Sequence, residues 1–563
     1  MNRSNSIALP LLVGLGACLP AQASWLQICP GQQVALSGQP YAQITRPDRA
    51  SLLATVSDMP ASPSCEQLEL GVSSSEVIGL RAIRPPAEAG HASWFSLSGK
   101  KEGHRFEFGE VISGTSAPGQ ASPPQPVPLR SNLLPSLRAT PFSAENRASV
   151  TLSKGQLYLR CAAGRQAAGL VLRTNALPTR ARARLHITGT GNGRFEIISV
   201  NAEQLATESG DRLGYFEAQR QAHPQAYSLG NDWVQWTIAC PTSAAALRLS
   251  TLQLIPEARL TPTRAAWVWK SQEWQQQSDA VLRRAKKYGI GTLFITVPLS
   301  TGHVQDASEL AAFIRRAIAM GIDVWAVDGD PDMVKLQERP ATLQRIRAYS
   351  RFNRSVPPDA RLKGVQFDVE PYLLAAYDLA VETWDRRYVE LVDALHDADP
   401  DIARGTLKLE MVVPFWWADK PALLSAIAPL VSGLVVMDYR SEAREIYRFA
   451  VPFLDWGERH GKTVRIALEA GPIAPETRTR YEQAEVGELW QLRLGENHFL
   501  MMLGTARPNP HGKAFRQANS YEISGRETTF FGKTGRLWRQ LPGLETNFSA
   551  WPAFGGMALH EIR

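Results

Sequence analysis

The amino-acid sequence predicts a multidomain chain of mixed class, α/β plus all-β: a C-terminal (β/α)8 TIM barrel, preceded by a β-sandwich and a small, mostly β N-terminal domain. Three observations predict it. After Pro262, eight short apolar stretches alternate with helical ones. From about residue 137 to 258, apolar residues recur at every second position, as strands with one buried face require. Residues 25 to about 115 hold only short apolar stretches among many Ser, Pro and Gly. The 563 residues suffice for two or three cores.

Composition narrows the class. Hydrophobic residues make up 44% and charged residues 20%, which excludes a fibrous or disordered chain. Lys+Arg 61 against Asp+Glu 54 leaves +7, spread without a long basic run, so nucleic acid is not an expected partner. The first residues read as an export signal: Arg3, an apolar stretch from Ile7 to Cys18, then Ala21-Gln22-Ala23. Cleavage there places residues 1–23 in the signal, starts the mature chain at Ser24, and predicts a periplasmic or extracellular protein. The alternative reads Leu15-Gly16-Ala17-Cys18 as a lipobox, with Cys18 acylated on an outer-membrane lipoprotein. No transmembrane segment is expected, because the longest other apolar run, Leu423 to Met437, is interrupted by Pro429 and Gly433. A monomer is expected.

The remaining cysteines are Cys29, Cys65, Cys161 and Cys240, all in the first half. Export and an even number point to disulfides, and proximity in sequence favours Cys29 with Cys65 and Cys161 with Cys240. A zinc site is the poorer alternative, since no C-x-x-C or H-x-x-x-H spacing accompanies them.

The N-terminal domain is placed at 24–115. Five of the eleven residues from Pro118 to Pro128 are proline, so 116–136 reads as a stiff linker or an edge segment. Alternation in Arg182 to Ile187 and Val234 to Cys240 places a sandwich at 137–260. Its glycine run Gly189-Thr190-Gly191-Asn192-Gly193 reads as a hairpin turn, because no helix follows it as a phosphate loop would need. The architecture is similar to the jelly-roll modules appended to polysaccharide-acting enzymes.

Residues 261–563 form the barrel, with strands expected at 265–270, 292–297, 323–328, 364–370, 408–414, 433–439, 464–469 and 556–561 and helices between them. An open doubly wound sheet is the alternative. In a barrel, residues at the C-terminal strand ends meet at one mouth. There the fourth strand carries Gln366, Asp368 and Glu370, two residues apart and therefore on one face. Repulsion and burial raise the pKa of one of two such carboxyls, which makes a proton donor near neutral pH.

On these residues the last 300 residues resemble family 18 glycoside hydrolases, the chitinases and endo-N-acetylglucosaminidases. That family's fourth strand reads Asp-Gly-x-Asp-x-Asp-x-Glu; Gly364, Asp368 and Glu370 match, whereas Lys363 and Gln366 stand at the two outer aspartates. Its sixth strand ends Met-x-Tyr-Asp, matched by Met437 and Tyr439, with Asp438 between them and Arg440 as the departure. Its eighth strand begins Gly-Gly, as at Gly555-Gly556, and His560 stands at its later tryptophan. The resemblance implies a divergent hydrolase of a polysaccharide or glycan. Glu370 is then the general acid/base, Asp368 its partner, and Tyr439 the holder of a substrate acetyl group, with no cofactor or metal. Gln366, Met437, Asp438, Arg440 and His560 are the implied substrate-side residues.

Two rivals stand beside this reading. Glu469, ending the seventh strand, could be the nucleophile of a retaining hydrolase with Glu370 as acid/base; its structural alternative is an ion pair with Arg440. The other rival is a non-catalytic carbohydrate-binding or assembly protein on a degenerate barrel. Trp269, Trp325, Trp416 and Trp417 are candidates for stacking on sugar faces. Asp328, with Asp330 and Asp332, is similar to a calcium loop, but Met333 replaces the required glycine, so Asp328 is read as a sugar ligand instead.

Overall fold

The computed structural model describes residues 24–29, 40–44, 52–60, 62–84, 92–114, 125–143, 146–153, 155–207, 209–230, 233–257, 261–374, 377–523 and 525–561. The expected export signal with Cys18, and residues 116–124 of the expected linker, lie outside them. The chain divides into two compact units, Met1–Pro118 with Ala375–Val381 and Glu476–Ile523, and Gly119–Leu374 with Glu382–Pro475 and Ser524–Arg563.

The strands described in the first unit all pair antiparallel. Four strands pair in the order Tyr41–Ile44, Leu52–Ser57, Trp25–Cys29, Glu66–Glu69. A second sheet runs in the order Val77–Ile83, Asn497–Arg507, Gly487–Leu494, Ala514–Ile523, Glu476–Ala484, Trp94–Glu102, Arg105–Gly114. Four of these seven strands come from the stretch expected to be helical between the last two barrel strands. Gly487–Leu494 is buried on both faces, Leu489 in one core cluster and Trp490 and Leu492 in another.

The sandwich of the second unit is antiparallel throughout. Its strands run in the order Leu137–Ser143, Ala168–Thr174, Trp233–Ala239, Ala183–Asn201, Ala245–Pro256, Gln156–Cys161, Ala148–Ser153. The glycine run is not a hairpin turn: it lies inside the 19-residue strand Ala183–Asn201, which bulges between Thr188 and Gly189. A Cβ on Gly191, at φ 153°, would sit 2.0 Å from the carbonyl oxygen of Ala246, so glycine is what lets the neighbouring strand lie this close. Gln125 to Val127 pair with Leu177, so the end of the proline-rich segment is an edge element of the sandwich. Both expected disulfides are present, Cys29–Cys65 and Cys161–Cys240. No helix among the described residues is long and apolar enough to cross a membrane.

The rest of the second unit encloses a closed barrel of eight parallel strands: β1 (Arg264–Val268), β2 (Ile290–Thr296), β3 (Asp323–Asp328), β4 (Gly364–Phe367), β5 (Lys408–Pro414), β6 (Gly433–Met437), β7 (Thr463–Glu469) and β8 (Phe554–His560). The expected (β/α)8 TIM barrel is nevertheless corrected. The chain as a whole is mostly β, and the links do not repeat one helix per strand. Two helices, Ser271–Gln276 and Ser278–Lys287, join β1 to β2. Only the short helix Pro421–Ile427, with flanking 3-10 turns, joins β5 to β6, and four strands of the other unit's sheet precede helix Thr534–Phe548 between β7 and β8. In the β7–β8 link the chain leaves the barrel to pair as four antiparallel strands before it returns through helix Thr534–Phe548.

Ala265, Trp267, Phe294, Trp325, Val327, Val412, Val435, Met437, Ala467 and Ala558 fill the barrel, and Tyr372 and Tyr439 pack on them. Gly364 has a packing reason: a Cβ there would meet the Trp325 ring at 2.3 Å and the Lys408 carbonyl oxygen at 2.7 Å. The barrel's outer helices meet the sandwich, where Arg180 N–H donates to Asp455 (2.9 Å), Arg182 N–H to Ala550 O (2.8 Å), and the Tyr447 hydroxyl to Val127 O (3.0 Å).

Candidate functional site

Strand β4 ends at Phe367, so Asp368 and Glu370 lie just beyond it, at the mouth. Asp368 N–H still donates to Asp328 O at 2.8 Å, which carries the pairing with β3 one residue further and fixes the backbone beneath the carboxyls. Pro371 then starts a short turn, Pro371–Leu373, that stops the strand and brings Tyr372 back over Glu370. The Tyr372 hydroxyl donates to Glu370 Oε1.

Burial, reinforced by the neighbouring charge of Glu370, pushes the Asp368 carboxyl up to about 7. Burial also raises Glu370, while the Tyr372 hydroxyl and His560 pull it back. Asp368 Oδ1 is shut off from solvent and meets no donor among the described residues, whereas Glu370 accepts one. Burial thus disfavours the charged form of both carboxyls, and the Tyr372 hydroxyl favours the ionised form of Glu370. The sequence predicts one raised carboxyl; both are raised.

Across the mouth, β7 and β8 pair with Glu469 opposite His560. His560 Nδ1 lies 2.6 Å from Glu469 Oε2, and the Trp269 indole N–H donates to His560 Nε2 at 2.6 Å. The other carboxylate oxygen, Glu469 Oε1, accepts from Gly471 N–H at 2.5 Å. Burial pulls His560 down, but the hydrogen bond and charge of Glu469 outweigh it and leave the ring above its ordinary value. Tyr439 neighbours both groups, its ring centre 6.3 Å from that of His560. Burial first, then the charges of Glu469, Asp368 and Glu370, keep its hydroxyl protonated far above the usual range.

Several expected site residues are elsewhere. Gln366 is fully buried below the mouth, accepting from Trp267 Nε1 at 2.7 Å, in a layer with Glu410 and Arg465. Met437 faces the barrel interior and Asp438 the other way, as alternation dictates. Asp438 is fully buried, and burial pushes its carboxyl far up. Arg440 does not pair with Glu469; it donates to Tyr439 O at 2.8 Å and its guanidinium lies over Phe415, 4.6 Å from the ring centre. Asp328 accepts from Arg345 (2.5 and 3.0 Å) and from the Tyr349 hydroxyl (2.9 Å).

The tryptophans divide in the same way. Trp325 is 3% exposed and Trp417 0%, so both are core residues. Trp269 is 36% exposed and Trp416 44%, and they follow β1 and β5, on opposite sides of the ring. Trp416 meets Tyr372 edge-on, ring centres 5.1 Å apart, which ties that rim to the Asp368–Glu370 pair. Among the described residues no cluster of three or more His, Cys, Asp or Glu could hold a metal ion. Two contacts were not read from the sequence. Tyr372 on Glu370 had a signal, since a residue two positions beyond a carboxylate and just after proline folds back over it. The Glu469–His560 bond had only the register of adjacent parallel strands.

No family model matches the chain, and no curated protein matches it. The solved structures it is similar to include family 29 carbohydrate-binding modules. A mutant of one is 10% identical, over 22% of this chain and 77% of that chain, at a TM-score of 0.18. Another mutant is 12% identical, over 21% and 94%, at 0.17. These scores carry no argument about the site.

Proposed function

We propose that this protein is an exported glycoside hydrolase acting on a polysaccharide or glycan at the barrel mouth. The observation that carries this reading is the Asp368–Glu370 pair, two carboxyls both raised by burial, set between the exposed faces of Trp269 and Trp416. A lectin gains nothing from a pair of partly desolvated acids, whose burial is costly. In the proposed reaction Glu370, protonated because burial raises its carboxyl, protonates the leaving glycosidic oxygen. The substrate's 2-acetamido oxygen attacks the anomeric carbon, held by the Tyr439 hydroxyl, and ionised Asp368 steadies the cyclic cation until water opens it. Glu370 takes the proton from that water. Direct attack by Glu469 is the second reading; against it, both Glu469 oxygens already accept hydrogen bonds in a buried setting.

The test is Glu370→Gln, which keeps the Tyr372 contact and removes the transferable proton. Hydrolysis of 2-acetamido glycans should fall by a factor of about 10² to 10⁴ with binding retained. A mutant that keeps most of the wild-type rate overturns the assignment, and a fluorosugar trapped on Glu469 moves the nucleophile to β7.

A further inference from the structure

The mouth contains a second set of coupled groups that the proposed chemistry does not use. His560 is held at both ring nitrogens, by Glu469 at Nδ1 and by Trp269 Nε1 at Nε2, each at 2.6 Å. An indole N–H can only donate, so the nitrogen facing it must carry a lone pair. The proton of the neutral ring is therefore on Nδ1, donated to Glu469 Oε2. Strands β1, β7 and β8 are neighbours, so three adjacent strand ends build this relay. Trp269 is in turn parallel to Trp267, ring centres 6.4 Å apart at 3°, and Trp267 is anchored on Gln366.

We propose that His560 is a positioning residue, fixed in its Nδ1–H tautomer between Glu469 and the indole N–H of Trp269, so that the charge it presents to Asp368 and Glu370 depends on that indole donor staying in place. The proposal rests on the reading of that pair as the acid/base. Charged and titratable groups face His560 from every side: Glu469 on β7, Glu561 beside it on β8, Asp368 and Glu370 after β4, and Tyr439 after β6. All four carboxyls favour a second proton on the ring. Burial opposes it, and so does the Trp269 N–H, because an imidazolium would set two donors head to head. A charged His560 would favour the ionised forms of Asp368 and Glu370 and strip the acid of its proton at lower pH. Trp269 is 36% exposed, so the donor that sets the ring's charge belongs to a side chain at the site's rim.

Trp269→Phe keeps an aromatic face and deletes the donor; His560→Gln can still donate to Glu469 and accept from Trp269 but never charges. The readouts are the ring-nitrogen NMR shifts of His560 and the carboxyl carbon shift of Asp368, followed against pH in the whole protein, with the pH–rate profile beside them. In Trp269→Phe, His560 should titrate about one pH unit higher than in the wild type, the equivalent of one lost hydrogen-bond preference. Asp368 and the alkaline limb of activity should both move to lower pH. In His560→Gln, Asp368 should titrate no lower than in the wild type. An unmoved His560 in Trp269→Phe overturns the proposal, and so does an Asp368 shift in His560→Gln as large as in Trp269→Phe. If the NMR titrations follow expectation while no glycan is cleaved, the relay stands and the hydrolase reading falls.

Discussion

Replacing Asp368 by Asn should stabilise the protein, and only above acid pH. In the folded chain the Asp368 carboxyl is held at about 7, from an ordinary value of 3.8, by burial and by Glu370. Each unit of pKa difference corresponds to about 1.36 kcal/mol, so the ionised residue costs at most about 4 kcal/mol in the native state. Below pH 3.8 the carboxyl is protonated folded or unfolded, and this stability is fully present. It is lost as pH rises through 7, because the unfolded chain releases the proton first. Asn keeps the shape without the charge and spares Glu370 a like-charged neighbour. The stability gap between Asp368→Asn and wild type should therefore widen steadily from pH 4 to 7 and level off near pH 8. A plateau of about 2–4 kcal/mol corresponds to a thermal midpoint several degrees higher. Thermal and urea unfolding at matched ionic strength across that range measures it. Curves that run parallel from pH 4 to 8 would show that Asp368 is not buried as an acid, and the pairing argument would fall with it.

Two further predictions concern the scaffold. Gly364→Ala should lower stability by about 1–3 kcal/mol or more, read by urea unfolding, since its methyl would lie 2.3 Å from the Trp325 ring and 2.7 Å from a neighbouring strand's carbonyl. Arg345→Ala should cost roughly 1–3 kcal/mol by leaving the buried Asp328 carboxylate with fewer donors, while the remaining folded protein keeps the wild-type pH profile; a shifted profile would return Asp328 to the site.

The barrel strands were legible because strands buried on both faces are written as continuous apolar runs, and Lys408–Pro414 and Asp323–Asp328 lie where the apolar runs end. Pairing partners are not written locally. Trp94–Glu102 pairs with Glu476–Ala484, nearly four hundred residues later, and alternation identifies each as a strand without saying that they belong to one sheet. Alternation also fails where glycine intervenes: Gly189 to Gly193 has the composition of a turn, yet the strand continues because Ala246 lies too close for side chains at Gly191. At the mouth the same division holds. Asp368 and Glu370 were readable because both their spacing and their strand are local. The roles of Asp328 and Arg440 were not, since each is decided by a partner brought in from elsewhere, Arg345 and Tyr349 for one and Phe415 for the other. His560 shows what this means for function. Sequence alone offers a histidine near the end of β8; only the register of β7 against β8 gives it Glu469, and only the closure of β8 on β1 gives it Trp269. The proton balance of the mouth is thus set by barrel closure, and a residue substituted for its own chemistry at any of these three strand ends changes the chemistry of the other two.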